Sequence, residues 1–213
     1  MIFYQPTSGD VQTSKIDYSP RTCFIVTQLG LPLPEKIGLI REDIGANFEK
    51  NKIGIVDANS QITGKDFLLK IWKMIYAVPL IIAIVDKEMP TLTQCNIFYE
   101  IGVAQAMGKE TVVVKTKGTP IPSDFIRTEY IEYDLNFKEK LEKYIESFFK
   151  QAEYYQHIAD QLEKNPLLAI DYLRRAYLIS GNIMLKEKVK KILQEASIRK
   201  RAKNSVEILL SDF

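Results

Sequence analysis

Glu100 and Asp86 are the residues whose type and spacing best suit them to chemistry. Asp86 closes the apolar run Leu80–Val85 (LIIAIV), and Glu100 follows 14 residues later in the stretch that leads to a second apolar run, Thr111–Lys115 (TVVVK). Short β-branched runs of this kind read as buried strands. Between them Ile97, Ile101, Ala104 and Met107 share one helical face, Asn96 is the candidate N-cap, and Gly108 is the expected stop. The unit is therefore β-α-β, with Glu100 expected in the first helical turn, facing the carboxyl end of the preceding strand, where open α/β sheets bind ligands. A glutamate there can attack the anomeric carbon of a sugar, or stabilise the cation that forms as a base departs. A second acid can hold the base or protonate it. The bland alternative is a first-turn glutamate that only favours the helix dipole.

Other chemistries lack their residues. The chain has no GxxxxGK[ST] loop and no GxGxxG, so nucleotide binding through those devices is unsupported. His157 is the sole histidine and falls in the C-terminal part of the chain, which nearly excludes a Ser-His-Asp triad or a His-rich metal site. Cys23 and Cys95 form no metal-ligand pair and no disulfide framework, so neither a metal nor a cofactor is expected. Cys95 reads as a small buried residue, with a reactive thiol as the alternative.

The elements that must position the acids can be read in order. Residues 1–20 lack periodicity and are expected to be a flexible leader. Thr22–Thr27 reads as a strand, Glu35–Glu49 as a helix with Ile37, Ile40, Ile44 and Phe48 inward, and Ile53–Asp57 as a second strand. A helix is expected over Lys65–Ala77, with Phe67, Leu68, Ile71, Trp72 and Ile75 inward. After the fourth strand come a Gly/Pro-rich loop, a short fifth strand at Tyr130–Tyr133 and a helix over Phe137–Phe149. Alternating strands and helices with short loops predict an α/β fold: a flavodoxin-like, doubly wound, five-stranded parallel sheet of order 2-1-3-4-5 across residues 21–150. That order would gather the loop after strand one, Asp86 and Glu100 around one pocket.

Residues 151–213 are expected to be a helical appendage, with helices at Tyr154–Leu162, Pro166–Ile179 and Leu185–Leu193 broken at Asn165-Pro166 and Gly181-Asn182. Ala159, Ala169, Tyr172 and Ala176 give it the pattern of a single tetratricopeptide-like hairpin. Net charge is +2, yet Lys186–Lys203 alone carries +6 and the remainder −4. This basic C-terminal helix is a solvated face or a contact for a protein or nucleic-acid partner. No apolar run reaches the roughly 18 residues that span a bilayer, and the first residues lack a signal peptide's regions. No membrane partner and a cytoplasmic location are expected.

One stretch has a recognisable pattern. Asn96-Ile97-Phe98-Tyr99-Glu100-Ile101-Gly102, followed by Ala104, Ala106, Gly108 and Lys109, resembles the NxxYELGxAxAxGK signature of the nucleoside 2-deoxyribosyltransferase-like superfamily. Relatives there include deoxynucleoside-monophosphate N-glycosidases, and the fold is close to bacterial TIR domains that cleave NAD. Asp57, Gly64-Lys65-Asp66 with Ile71-Trp72, and Asp86 also resemble positions in that superfamily, over roughly residues 22–134. The resemblance implies that Glu100 is the nucleophile and that Asp86 and Asp57 contact base or sugar. The tyrosine that often follows strand one in relatives is replaced here by Thr27-Gln28-Leu29-Gly30, making Gln28 and Gly30 the loop's candidates. Asn96 and Tyr99 belong to the motif itself, and Ser60 is a candidate phosphate contact. Lys65 and Lys109, taken to lie near the crevice, would suit a phosphorylated substrate.

The expected function is cleavage or transfer at the base–sugar N-glycosidic bond of a nucleoside, nucleotide or NAD. Relatives imply a homodimer. The alternative is a nucleotide-sensing or adapter module, without turnover, that works through its helical appendage.

Overall fold

Six apolar residues without alternation, Leu80–Val85, form the central strand, and every one of their side chains is buried. A strand buried on both faces requires helices above and below it. The computed structural model provides them, and describes residues 17–30, 32–58, 67–125, 129–162 and 164–195. The described residues fall into two compact units: those within 21–148 form one, and 17–20 with those within 149–195 form the other.

In the first unit, β1 (Thr22–Val26), β2 (Gly54–Asp57), β3 (Leu80–Val85), β4 (Glu110–Lys115) and β5 (Glu129–Glu132) make one sheet of order β2-β1-β3-β4-β5. All four pairings are parallel, so the sheet has the expected flavodoxin-like order. Ile25 stands between Asp57 of β2 and Ile82 of β3. The chain leaves β1 in one direction along the sheet and returns in the other from β2 to β3. Right-handed crossovers then put α1 (Glu35–Lys50) and α2 (Phe67–Ala77) on opposite faces. On one face α1 meets the start of α4 (Phe137–Gln161) through the ion pairs Lys50–Glu142 and Asp43–Lys138. On the other, α2 packs against α3 (Thr91–Ala106), which lies on β3 and β4. Phe24, Phe48 and Trp72 fill the interfaces completely, each burial being worth roughly 2–3 kcal/mol.

Two helix boundaries differ from the sequence expectation. α3 starts at Thr91, immediately after Pro90, so Asn96 is no N-cap and sits in the second turn, while Glu100 sits in the third. The early start comes from a tight turn. The Asp86 carboxylate accepts from Glu88 N–H at 2.8 Å, the Asp86 carbonyl accepts from Met89 N–H at 3.1 Å, and Pro90, its φ fixed at −55° by its ring, leads straight into the helix. At the far end Gly108 takes a φ of +68°. Its N–H donates to Gln105 O and the Lys109 N–H donates to Ala104 O, closing the helix where expected.

The second difference is α4. The expected helices over Phe137–Phe149 and Tyr154–Leu162 are one helix of 25 residues, because Lys150-Gln151-Ala152-Glu153 contains nothing that breaks a helix.

In the second unit α5 (Pro166–Ser180) packs against α6 (Met184–Glu195). The Asn165 side chain accepts from Leu168 N–H at 3.3 Å to start α5, and Gly181, with φ +71°, ends it. Ala159, Ala169 and Ala176 are buried, as a hairpin of close-packed helices requires. Half of the basic residues of the run, Arg199, Lys200, Arg201 and Lys203, lie outside the described residues. Among the described residues no helix is long and apolar enough to cross a membrane.

Candidate functional site

The sheet reverses its winding between β1 and β3, and the crevice beyond their carboxyl ends is where such a sheet takes ligands. A cleft of about 400 Å³ lies there. Its walls are Thr27, Gln28 and Leu29 after β1, Phe67, Leu68 and Ile71 of α2, and Thr93, Asn96, Ile97, Tyr99 and Glu100 of α3. Thr93, Asn96, Ile97 and Glu100 are spaced i, i+3, i+4, i+7, so one face of α3 presents them together. Phe67 and Leu68, expected to point inward, help to line this cleft instead, and Leu68 is 44% exposed.

Glu100 is the chemically distinctive group. It makes no hydrogen bond or ion pair with any described residue, and burial pushes its carboxyl up to about 7. The cause is desolvation: the wall of α3 and β1 removes water from the carboxylate and supplies no donor in its place. Near neutral pH both protonation states are populated, and the ionised form is a better nucleophile than an ordinary carboxylate.

A second cavity, about 20 Å³, shares Thr27, Leu29 and Glu100 with the cleft and adds Arg41 and Asp57. Arg41 Nη2, from α1, donates to the Asp57 carboxylate at the end of β2, and the two side chains are only 21% and 18% exposed. The other guanidinium nitrogen, Arg41 Nη1, is buried and has no hydrogen-bond partner among the described residues. A buried donor left unsatisfied costs about 1–3 kcal/mol.

Asp86 belongs elsewhere. It lines a separate cleft of about 380 Å³ with Gln28, Pro34, Lys36, Glu88 and Pro90. Its burial would raise its pKa, but the Thr116 hydroxyl and the Glu88 N–H donate to it and Lys36 and Lys87 lie nearby, holding the carboxyl below its ordinary value. Asp86 is thus ionised at neutral pH and ties the end of β3 to the residue following β4. The expectation of a single pocket holding Asp86 and Glu100 is corrected: two clefts flank the loop after β1, and Gln28 lines both. Asp86 does not share Glu100's cleft because its turn places it at the N-termini of α1 and α3, two helical turns above Glu100.

The chain matches no family model, and no curated protein matches it. Among solved structures, a 2-deoxyribosyltransferase from Bacillus psychrosaccharolyticus is similar at a TM-score of 0.43 and 8% identity. The likeness covers 57% of this chain and 90% of that one.

The remaining candidates fall as follows. Asn96 is exposed and Tyr99 is 48% exposed, both on the wall of the Glu100 cleft. Gly30 has φ +106°, a conformation that side chains resist, so the loop after Gln28 turns there because it is glycine. Ser60 and Lys65 lie outside the described residues. Lys109 is not beside the crevice: it follows α3, and its ammonium donates to Tyr76 O at 2.6 Å at the end of α2. Cys95, expected to be buried, is exposed, because the earlier start of α3 turns it outward onto an apolar groove with Phe98, Tyr99 and Phe125. No cluster of three or more His, Cys, Asp or Glu suited to a metal occurs among the described residues.

The sequence reading missed Arg41 and Thr93. Arg41 is four residues after Ile37 and three before Ile44, on the same buried face of α1, and a charged residue on such a face was the available signal. Thr93 went unseen because the helix was started too late.

Proposed function

We propose that the chain cleaves or transfers at the base–sugar N-glycosidic bond of a nucleoside or nucleotide, with Glu100 as the group at the anomeric carbon. The observation that carries this reading is a carboxylate without a partner among the described residues, pushed up to about 7, on the wall of a cleft at the sheet's switch point. The apolar rim of Phe67, Leu68 and Ile71 suits the flat face of a base, and Gln28, Thr93 and Asn96 offer hydrogen bonds for its edge or for the sugar. The resemblance of Asn96–Lys109 to the superfamily signature points the same way.

In this reading a Glu100 oxygen bonds to the anomeric carbon as the carbon–nitrogen bond breaks, and the bonding pair leaves with the base. Water or a second base then attacks the same carbon and restores the carboxylate. In hydrolysis the water's hydroxyl ends on the sugar and its proton on the base. Asp86 takes no part as a proton donor, since it is ionised, and its contribution is to hold the turn that leads into α3.

The test is chromatographic detection of free base from a panel of nucleosides, nucleoside monophosphates and NAD. Expected is release by the native chain and none by Glu100→Gln, with kcat/KM rising on a single ionisation as pH passes about 7. Release that survives Glu100→Gln overturns the assignment. No release from any member, with an acceptor base present, favours a sensing module without turnover.

A further inference from the structure

We infer that the outer face of α3 is the seam of a reversible dimer, on which the same face of a second copy of this chain packs antiparallel about a two-fold axis at Tyr99. The inference does not depend on the reading of Glu100 as the group at the anomeric carbon.

α3 is a surface helix with almost no charge: Glu100 is the one charged residue of its 16, in a chain that is 26% charged. Leu92, Cys95, Tyr99, Val103 and Ala106 follow one another at intervals of three or four, so they form a single stripe along the helix. The stripe lies open. Leu92 is 79% and Tyr99 48% exposed, and Cys95 and Ala106 are exposed as well. Beside it Phe98, Pro122 and Phe125 complete an apolar groove of about 560 Å³. Gly102 lines the same groove, and a Cβ built there would meet only Phe125 among the described residues, at an ordinary 3.9 Å. The missing side chain leaves the backbone of α3 open to a close neighbour at that point.

Charge, spacing and area together select a second copy as the occupant. The stripe is uncharged, so two copies of a chain with net charge +2 meet there without like-charge repulsion, and interface centres are depleted of charge in the same way. Its spacing is symmetric about Tyr99. Reversing the helix against itself sets Leu92 opposite Ala106, Cys95 opposite Val103 and the exposed Asn96 opposite Gly102, large against small at both ends. The helix is about 24 Å long, and one such face supplies only part of the roughly 800 Å² that each partner gives to a standard interface. The dimer is therefore reversible, with a dissociation constant of about 10–100 µM. Tyr99 lines both this groove and the Glu100 cleft, so the second copy stands at the rim of that cleft.

The experiment is sedimentation equilibrium of the full chain under reducing conditions, from about 1 to 300 µM. The native chain should pass from monomer to dimer across that range. Leu92→Lys and Ala106→Glu alter exposed positions, and each alone should weaken association at least about tenfold. Combined in one chain, they should associate at least about fivefold more tightly than either single variant, because the new ammonium of each copy then faces the new carboxylate of the other. Within one chain the two positions are about 21 Å apart along the helix and cannot pair. A second arm reads the register: under mild oxidation Val103→Cys should form a disulfide between copies with Cys95. The native chain should form none, since its two Cys95 side chains lie about 12 Å apart along the seam and Cys23 is buried. A native chain that stays monomeric at the highest concentration overturns the inference, as does a dimer that both single variants leave intact, since its contact then lies elsewhere. Single variants that dissociate with no recovery in the double variant, and no disulfide in Val103→Cys, overturn it too, because the pairing about Tyr99 is then wrong.

Discussion

Asp86 and Glu100 are both acids near the carboxyl edge of one sheet, and their surroundings give them opposite chemistry. Asp86 is buried with a hydroxyl and a backbone N–H donating to it and two lysines nearby, so it is held ionised. Glu100 is half-buried and is met by no donor among the described residues, so it is held near the point of half-protonation. Burial acts on both in the same direction, and the presence or absence of donors decides which way each carboxyl moves. An acid enclosed by donors is a structural tie. An acid left without them has its reactivity kept in reserve.

The largest effect that could break this contrast is on turnover. Glu100→Gln should lower release of base by about a thousandfold or more, as expected when a nucleophile is removed. Asp86→Asn should leave release within about tenfold while lowering the unfolding midpoint, since it breaks a buried, charge-assisted hydrogen bond. Equal losses of turnover in both variants would erase the distinction.

The next effect is on stability against pH, measured by denaturant titration. Glu100 is raised from 4.5 in the free side chain to about 7 in the fold. Folding therefore loses stability as pH climbs between those values, and the loss is complete above about 7. Glu100→Gln should then be more stable than the native chain at pH 8, by up to about 3 kcal/mol, with the gain gone near pH 4. A gain independent of pH would mean that the charge is not the cause.

The smallest effect concerns Thr116. Its hydroxyl donates to Asp86 and helps to hold that carboxyl down, so its contribution is present above the ordinary aspartate range and fades as pH falls below it. Thr116→Val should cost about 1–2 kcal/mol at pH 7 and less with each step below pH 4. A cost that persists unchanged in acid would assign it to packing alone.

Much of the frame was legible in the sequence because each element carried its own signal. LIIAIV has no alternation and no charge, and a strand of that kind has one place to go. Ile37, Ile40, Ile44 and Phe48 mark the inner face of α1, and Gly108 ends α3 where it should. The site was harder to read because it depends on where α3 begins. Asn96 is a good capping residue, but the turn built by Asp86 and Pro90 started the helix a turn and a half earlier. That shift moved Cys95 into solvent, moved Glu100 down along the sheet, and separated the two acids. Arg41 escaped because its role depends on Asp57, 16 residues away and brought near only by the pairing of β1 with β2.

The strand that anchors the crevice also has a consequence during synthesis and refolding. Leu80–Val85 is six residues long, β-rich, uncharged and wholly enclosed in the finished fold, which is the composition of a segment that pairs with its own kind when exposed. Its partner β1 lies 57 residues earlier in the chain, Cys23 standing beside Leu80, and parallel pairing over such a distance forms slowly. Pro79 on one side, and Asp86 and Lys87 on the other, interrupt the run and discourage a second chain from extending it. Asp86 therefore serves the molecule twice: as a tie in the native state, and as a gatekeeper against self-association before that state is reached.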